Sequence, residues 1–315
     1  VYAEKIGTGM IGWLEKLNAG EILLIDGGTG SELQRRGVAM DRNAWSGPAA
    51  YTHKEVLRQI HTDYIRAGAQ IITTNTFGTT RFVLEAAGLG DEFRKINKST
   101  IDAAQEGRED ANGEYVAIAG SLSCLPPGLN ADTYPSKRKE KGDYQELAEF
   151  LAESGVDLIA LEMMEDNYHS LMAMEAAQEV GLPLWLGVSS RLGPDGKSLV
   201  AFDFPDTSFS SVLQSLVPLG PLVVNIMHTE PDVVPSALKN LKQHWTGPIG
   251  VYPELGDFSA PNWVFNNLME PNRFAEHALQ WVRGGARLLG GCCGTTPKHI
   301  QILKSKMPDL LAARA

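Results

Sequence analysis

The feature that most constrains the fold is a regular alternation of short apolar runs and amphipathic segments along nearly the whole chain. Most apolar runs lack polar alternation, as in residues 22–25 and 222–224, which is typical of strands buried on both faces of a parallel sheet. The segments between them carry apolar residues at helical spacing. This alternation predicts a single-domain α/β protein, a (β/α)8 barrel of the TIM type, with an open doubly wound sheet as the alternative.

The predicted elements form one domain, residues 1–315, with a core of about residues 17–306. The predicted strands are 21–26, 70–76, 115–121, 157–162, 182–189, 221–226, 247–252 and 286–291. The predicted helices are 53–67, 91–110, 143–154, 166–180, 208–217, 231–243, 271–282 and 297–306. Residues 122–142 and 253–270 are predicted to be loops that cover the carboxyl ends of the strands. Within the first loop, the charged run 137–141 is predicted to be a solvated face.

Composition and charge limit the kinds of partner that the protein is expected to bind and the cellular compartment in which it is expected. The chain carries a formal charge of -10, and its lysines and arginines are scattered, so we expect no nucleic-acid partner. No apolar run reaches the ~18 residues of a membrane span, and residues 1–20 lack a leader pattern. Three cysteines in 315 residues do not make a disulfide framework. A cytoplasmic protein without a membrane partner is therefore predicted.

Two of the three cysteines are adjacent, Cys292 and Cys293, and glycines flank them on both sides. Neighbouring cysteines rarely form a disulfide with each other, because the small ring strains the bond. Glycines let the backbone turn sharply there, and two thiolates on one turn are suited to bind a soft metal ion. The other interpretation is two small residues packed in the core.

Polar residues end several of the predicted strands: Asp26 with Gly27, Thr76, Glu162 and Asn225. In a barrel these ends converge on one pocket, together with the cysteine pair. The two acids would hold the ammonium group of a zwitterion, and glycine N–H groups would hold its carboxylate. The glycines after Asp26 lack the G-x-G-x-x-G spacing, so a dinucleotide site is not indicated.

A set of short motifs together resembles the homocysteine S-methyltransferase family, which includes betaine–homocysteine methyltransferase and the homocysteine-binding module of methionine synthase. The resemblance implies a barrel that binds Zn²⁺ through three cysteines, with the homocysteine thiolate as the fourth ligand. Cys292 and Cys293 match the paired ligands. Asp26 and Glu162 match the acids that receive the homocysteine amino group, and the Gly27 region is placed to hold the carboxylate. The motifs are residues 17–21, 26–28, 66–69, 74–77, 161–162, 224–225 and 290–294.

The chain departs from the family pattern where the third cysteine should directly follow the asparagine of the sixth strand. Ile226 occupies that position, and isoleucine cannot bind a metal. Three alternatives remain open: His228 supplies a nitrogen ligand, Cys124 supplies a third thiolate, or the site is poor in metal and its activity is altered or absent.

A second departure is Glu254, which follows a Tyr-Pro pair where the family often has asparagine. Its charge would favour a cationic methyl donor, a sulfonium or a quaternary ammonium; the other interpretation is a rim carboxylate in solvent. Aromatic rings would hold such a cation by cation–π attraction. The candidate rings are Trp45, Phe77, Tyr252, Phe258 and Trp263.

The sequence therefore predicts a thiol S-methyltransferase of methionine biosynthesis, with zinc as cofactor. A small cationic donor would transfer its methyl group to homocysteine, giving methionine, by attack of a zinc-activated thiolate. Neither a dinucleotide fingerprint nor a corrinoid module is evident, which favours a small-molecule donor. The alternatives are methyl transfer to a different thiol or selenol at an altered site, and a non-catalytic binding protein on the same barrel.

Overall fold

The computed structural model describes residues 12–266 and 268–314, which form strands and helices in alternation. The strands are β1 (Leu23–Leu24), β2 (Ile71–Thr73), β3 (Ala117–Ser123), β4 (Leu158–Glu162), β5 (Leu184–Leu192), β6 (Leu199–Ala201), β7 (Val223–Met227), β8 (Ile249–Tyr252), β9 (Asp257–Ser259), β10 (Asn262–Val264) and β11 (Ala286–Leu289). The α-helices are α1 (Gly12–Asn18), α2 (Thr29–Arg35), α3 (Ala49–Thr52), α4 (Lys54–Ala67), α5 (Arg81–Ala86), α6 (Phe93–Asp110), α7 (Lys137–Glu153), α8 (His169–Glu179), α9 (Phe209–Leu216), α10 (Val234–Leu241), α11 (Pro271–Arg283), α12 (Pro297–Ser305) and α13 (Met307–Ala313).

Eight of these strands form a closed parallel barrel, in the order β1-β11-β8-β7-β5-β4-β3-β2. A parallel bridge between Ile25 and Ile71 joins the two ends of this order, and the N–H of Asp26 donates to the Ile71 carbonyl at 3.1 Å. The predicted (β/α)8 barrel is confirmed, and the open doubly wound sheet is wrong. Residues 1–11, which carry part of the prediction that no leader is present, lie outside the described residues.

The core lies between the barrel wall and the surrounding helices. All seven residues of β3 are buried, as expected for a strand covered on both faces. Helix α4 turns Leu57, Ile60 and Tyr64 inward and ends at Gly68, whose φ of 120° lies in the region that glycine adopts without strain. No helix among the described residues is long and apolar enough to span a membrane.

The two predicted loops contain regular structure. Helix α7 begins at Lys137, so the run 137–141 is not a loop face. Glu140, in its first turn, is buried and accepts hydrogen bonds from Tyr144 at 2.7 Å and from His169 at 2.6 Å. This inward carboxylate fixes the helix against α8. The second loop holds the hairpin of β9 and β10. Strand β6, which is not among the predicted strands, pairs with the end of β5.

Candidate active site

A cavity of about 420 Å³ opens at the carboxyl ends of the barrel strands. Asp26, Glu162, His228, Cys292 and Cys293 line this cavity together. They lie at or just after the carboxyl ends of four different strands, β1, β4, β7 and β11, so the closed barrel is what brings them to one place. The five aromatic residues predicted as a cation cage, Trp45, Phe77, Tyr252, Phe258 and Trp263, also line it.

The cysteine pair lies on a tight turn after β11. The N–H of Gly291 donates to the Asp26 carbonyl at 3.0 Å, and the N–H of Cys292 donates to the Pro253 carbonyl at 2.8 Å. A Cβ at Gly291 would lie 2.0 Å from the Thr295 Oγ1, so only glycine fits there. The two Sγ atoms are 3.7 Å apart, on the side of the turn that faces the cavity.

His228 joins the two thiols directly after β7. Its Nδ1 lies 3.4 Å from the Cys292 Sγ, and its Nε2 lies 3.1 Å from a Glu254 carboxylate oxygen. One donor atom from each of His228, Cys292 and Cys293 lies within 4.8 Å of the other two. His228, the first of the alternatives predicted for the third ligand, therefore lies beside the cysteine pair.

The other positions considered for the third ligand lie elsewhere. Ile226 is fully buried, pairs with Val188 and Val251 on the neighbouring strands, and does not line the cavity. Cys124 is also fully buried; its thiol lies 3.4 Å from the Ser170 hydroxyl and 3.7 Å from the Met163 carbonyl. The Cys124 alternative is wrong in this geometry, because that thiol packs into the loop after β3 and away from the cysteine pair.

The three donors fit a tetrahedral metal ion with one position open. Zinc ligated by thiolate and imidazole requires about 3.8 Å between two sulfurs and about 3.5 Å between sulfur and nitrogen, from its usual bond lengths. The observed separations are 3.7 Å and 3.4 Å. Two thiols and one imidazole are also the ligand types that zinc prefers. The residues present thus suit a metal centre.

Hydrogen bonding and charge shift the pKa values of the two thiols in this cluster in opposite directions. The hydrogen bond from the Cys292 thiol, together with His228, holds the pKa of Cys293 well below its ordinary value. The same bond and burial raise the pKa of Cys292. Burial opposes protonation of His228, but the charges of Glu254 and Cys293 raise its pKa to about 10. The cluster therefore favours the thiolate form of Cys293 over that of Cys292.

Asp26 and Glu162 form a second, acidic part of the cavity. Asp26 accepts a hydrogen bond from the Thr73 N–H at 2.7 Å, and Glu162 accepts one from the Ser121 hydroxyl. Burial raises the pKa of Asp26 to about 8 and that of Glu162 to about 7. Buried acids whose pKa values are raised in this way are typical of a site for a positive ligand group.

The remaining predicted substrate residues lie one layer beneath the cavity surface. Thr76 is fully buried and donates to the Ser121 carbonyl at 2.6 Å. Asn225 is fully buried against Gly250, and neither of its amide atoms has a hydrogen-bond partner among the described residues. Gly27 packs against Tyr64. Substrate-binding roles for all three stay predictions.

Sequence reasoning missed part of the cavity wall. The side chain of Glu254 is only 13% exposed, so its interpretation as a rim carboxylate in solvent is wrong. Phe202 and Asp203, just after β6, line the cavity, and the Phe202 ring packs edge-on against His228 with centroids 4.7 Å apart. Their only sequence signal was the short apolar run 199–202, which lies outside the eight predicted strands.

Two thiols and an imidazole at the mouth of a (β/α)8 barrel, beside buried carboxylates, form the candidate active site of a barrel enzyme. Comparison with known proteins agrees with this class. The family model described as homocysteine S-methyltransferase matches residues 23–307, and the chain therefore belongs to the homocysteine S-methyltransferase family. The predicted resemblance and the predicted methyltransferase class are confirmed, and the non-catalytic alternative loses its support.

Individual relatives cover most of the chain. Homocysteine S-methyltransferase 2 of Zea mays is 27% identical, over 90% of this chain and 89% of its own length. Selenocysteine methyltransferase of Astragalus bisulcatus is 28% identical, over 90% of this chain and 91% of its own. The metallated crystal structure of the Escherichia coli homocysteine methyltransferase MmuM superposes with a TM-score of 0.73 at 24% identity, covering 94% and 99% of the two chains.

Proposed function

We propose that this protein transfers a methyl group from a small cationic donor to homocysteine, giving methionine, with Cys292, Cys293 and His228 holding a zinc ion. Membership of the family supports the transfer to homocysteine. The single observation that carries the metal assignment is the tetrahedral spacing of the three donor atoms. When bound, zinc lowers the pKa of a ligated thiol, so that a thiolate exists at neutral pH.

The acidic part of the cavity would hold the amino acid portion of homocysteine. Asp26 and Glu162 accept the substrate ammonium, and the backbone around Gly27 receives the carboxylate. Binding of a cation lowers the raised pKa values of both acids, so they ionise as the substrate enters. This fixes the acceptor with its sulfur toward the cysteine pair. The substrate reacts in one orientation, and proximity supplies much of the rate.

The charge of the cavity lining supports a cationic donor. Six carboxyl groups line the cavity, and among the described residues no lysine or arginine does so. Asp203, Glu230 and Glu254 are among these carboxyl groups, and aromatic rings line the same cavity, where they attract cations. This charge balance favours a donor with net positive charge, such as a sulfonium amino acid. A zwitterionic donor such as betaine would find no lysine or arginine for its carboxylate among the described residues of the lining.

The transfer itself is an in-line displacement. The homocysteine thiolate attacks the methyl carbon of the donor and forms a new carbon–sulfur bond. The bond from that carbon to the positive sulfur or nitrogen breaks, and its electron pair stays with the leaving group, which departs neutral. No general base is needed once the acceptor thiol has lost its proton. Asp26, Glu162 and the aromatic wall act by orienting the two partners.

A transfer assay tests this function. Zinc-loaded protein is incubated with homocysteine and, in turn, S-methylmethionine, S-adenosylmethionine, betaine and dimethylsulfoniopropionate, and methionine is measured by mass spectrometry. We expect methionine from at least one sulfonium amino acid, and a slower reaction or none from betaine. Glu162→Gln is expected to raise the KM for homocysteine. Absence of methionine with every donor would contradict the proposal.

A different acceptor is a second candidate, because one relative is a selenocysteine methyltransferase and the third thiolate of the family pattern is absent here. The same assay with homocysteine, selenocysteine and cysteine in direct competition separates the two. A higher kcat/KM for selenocysteine than for homocysteine would favour the selenol.

A further inference from the structure

We propose that Glu254 is a positioning residue that fixes the His228 imidazole with its Nδ1 toward the two thiols. The proposal deepens the proposed function and rests on it, since it takes His228 as the third metal ligand. It concerns which nitrogen of the ring is presented to a metal and how firmly the ring is held.

The hydrogen-bond chemistry of the two partners selects one tautomer. A neutral imidazole carries a hydrogen on one ring nitrogen and a lone pair on the other, and an ionised carboxylate can only accept. Glu254 faces Nε2 at 3.1 Å, so the hydrogen lies on Nε2. In the neutral ring that binds a metal, the lone pair then lies on Nδ1, the nitrogen 3.4 Å from the Cys292 Sγ. Carboxylates commonly orient metal-binding histidines in this way.

The backbone builds this contact from two neighbouring strands. Met227 pairs with Tyr252 where β7 and β8 end, and the N–H of His228 donates to the Tyr252 carbonyl at 3.2 Å. His228 itself has a φ of 42°, a left-handed conformation that costs energy for a residue other than glycine. The strained turn directs the imidazole ring back over the barrel mouth. Glu254, which lies two residues after β8, contacts the ring there.

Glu254 is held for this contact rather than left in solvent. Its side chain is 13% exposed and that of His228 is 12% exposed, and a carboxylate buried to this extent needs a partner. Among the described residues, His228 is the partner with which Glu254 forms an ion pair. The Phe202 ring packs against the imidazole. The ring is thus restrained by its backbone, by a carboxylate and by an aromatic neighbour.

Zinc affinity, measured by competition with a chromophoric chelator, tests the proposal. We expect Glu254→Ala to weaken zinc binding roughly 10- to 100-fold, the usual effect of removing a carboxylate that orients a metal ligand. Glu254→Gln keeps an oxygen that accepts from Nε2 and is expected to recover part of the loss. Asp257→Asn, which removes a charge from an exposed cavity residue, is expected to bind zinc like the wild type.

A second readout follows the tautomer directly. In ¹⁵N-histidine spectra of the zinc-loaded protein, His228 is expected to carry its hydrogen on Nε2 in the wild type and to show a mixture of Nε2–H and Nδ1–H forms in Glu254→Ala. If His228→Ala binds zinc as tightly as the wild type, His228 is not a ligand and the metal assignment of the proposed function fails. If His228→Ala loses zinc while Glu254→Ala retains wild-type affinity and tautomer, the positioning role alone is overturned.

Discussion

At the scale of single residues, the chain replaces a sulfur ligand with a nitrogen ligand from a different position. Ile226, at the position of the family's third cysteine, faces the packed layer shared with Val188 and Val251. His228, two residues on, reaches the cysteine pair instead. A donor set of two thiolates and one imidazole carries one less negative charge than three thiolates. The metal would therefore keep more positive charge for activating the acceptor thiol.

The ligand position is tested by moving a thiol between these two residues. We expect His228→Ala to lose zinc and methyl transfer, and His228→Cys to retain zinc because a thiolate at that position still faces the pair. Adding Ile226→Cys to His228→Ala is expected to restore neither, since residue 226 does not line the cavity. Zinc per chain, by elemental analysis of folded protein, is the measurement. Recovery of zinc in the Ile226→Cys double variant would show that residue 226 reaches the site.

Burial of Asp26 predicts a pH-dependent stability. The pKa of this group is raised from 3.8 to about 8 in the fold, so the folded state keeps a proton that the unfolded chain releases above pH 3.8. The contribution of Asp26 to the stability of the fold is fully present below the unfolded pKa, and it is lost as the pH rises toward about 8.

Asp26→Asn removes that titration while keeping an oxygen that accepts from the Thr73 N–H. We expect its Tm, relative to the wild type, to increase steadily from about pH 5 to pH 8 and to level off above. Thermal unfolding in matched buffers measures this difference. Asp132→Asn, at an exposed position, controls for the loss of one charge. A difference for Asp26→Asn that does not change with pH would show that Asp26 is ionised throughout.

At the scale of secondary-structure elements, the site residues lie at strand ends and on the short segments that follow the strands. One of these segments forms a lid on the cavity. The β9–β10 hairpin carries Phe258 and Trp263 over the cavity. Helix α2 holds it through Gln34, whose amide donates to the Trp263 carbonyl at 2.9 Å and accepts from the Trp263 N–H at 2.8 Å. The amide thus pairs with the hairpin as a neighbouring strand would.

Removal of this amide is expected to loosen the lid. Gln34→Leu loses two hydrogen bonds worth together about 1–3 kcal/mol, which corresponds to local opening roughly 5- to 160-fold more often. Chymotrypsin cleavage at Phe258 and Trp263 should accelerate by that factor, and the KM for the donor should rise. Gln145→Leu, which removes the half-buried Gln145 on α7 and its hydrogen bond to Glu149, is the matched control. Equal cleavage rates in the two variants would mean that Gln34 does not hold the lid.

At the scale of the whole molecule, sequence periodicity was sufficient for the barrel but not for the details of its mouth. The apolar runs predicted the parallel strands, and the strand ends predicted Asp26, Glu162 and the cysteine pair at one cavity. The choice between His228 and Cys124 depended on a left-handed residue after β7, which spacing alone does not show. The His228–Glu254 contact depends on the register of β7 and β8, two strands that pair across residues distant in sequence.

The run 137–141 was mispredicted for a similar reason. Its composition is that of a solvated surface, but Glu140 turns inward to Tyr144 and His169, contacts that a local pattern does not contain. Residues of this kind are identified only when the elements around them are assembled. The barrel as a whole therefore determines which local features become part of a site.

The central claim is that the assembled barrel holds zinc through two sulfurs and one nitrogen, and leaves a position for the acceptor sulfur. X-ray absorption at the zinc edge, recorded on the loaded protein before and after homocysteine is added, tests it most directly. We expect two sulfur neighbours at about 2.3 Å and nitrogen or oxygen neighbours at about 2.0–2.1 Å, with a third sulfur appearing on addition of homocysteine. An unchanged sulfur count after homocysteine binds, or zinc without sulfur neighbours, would contradict the account.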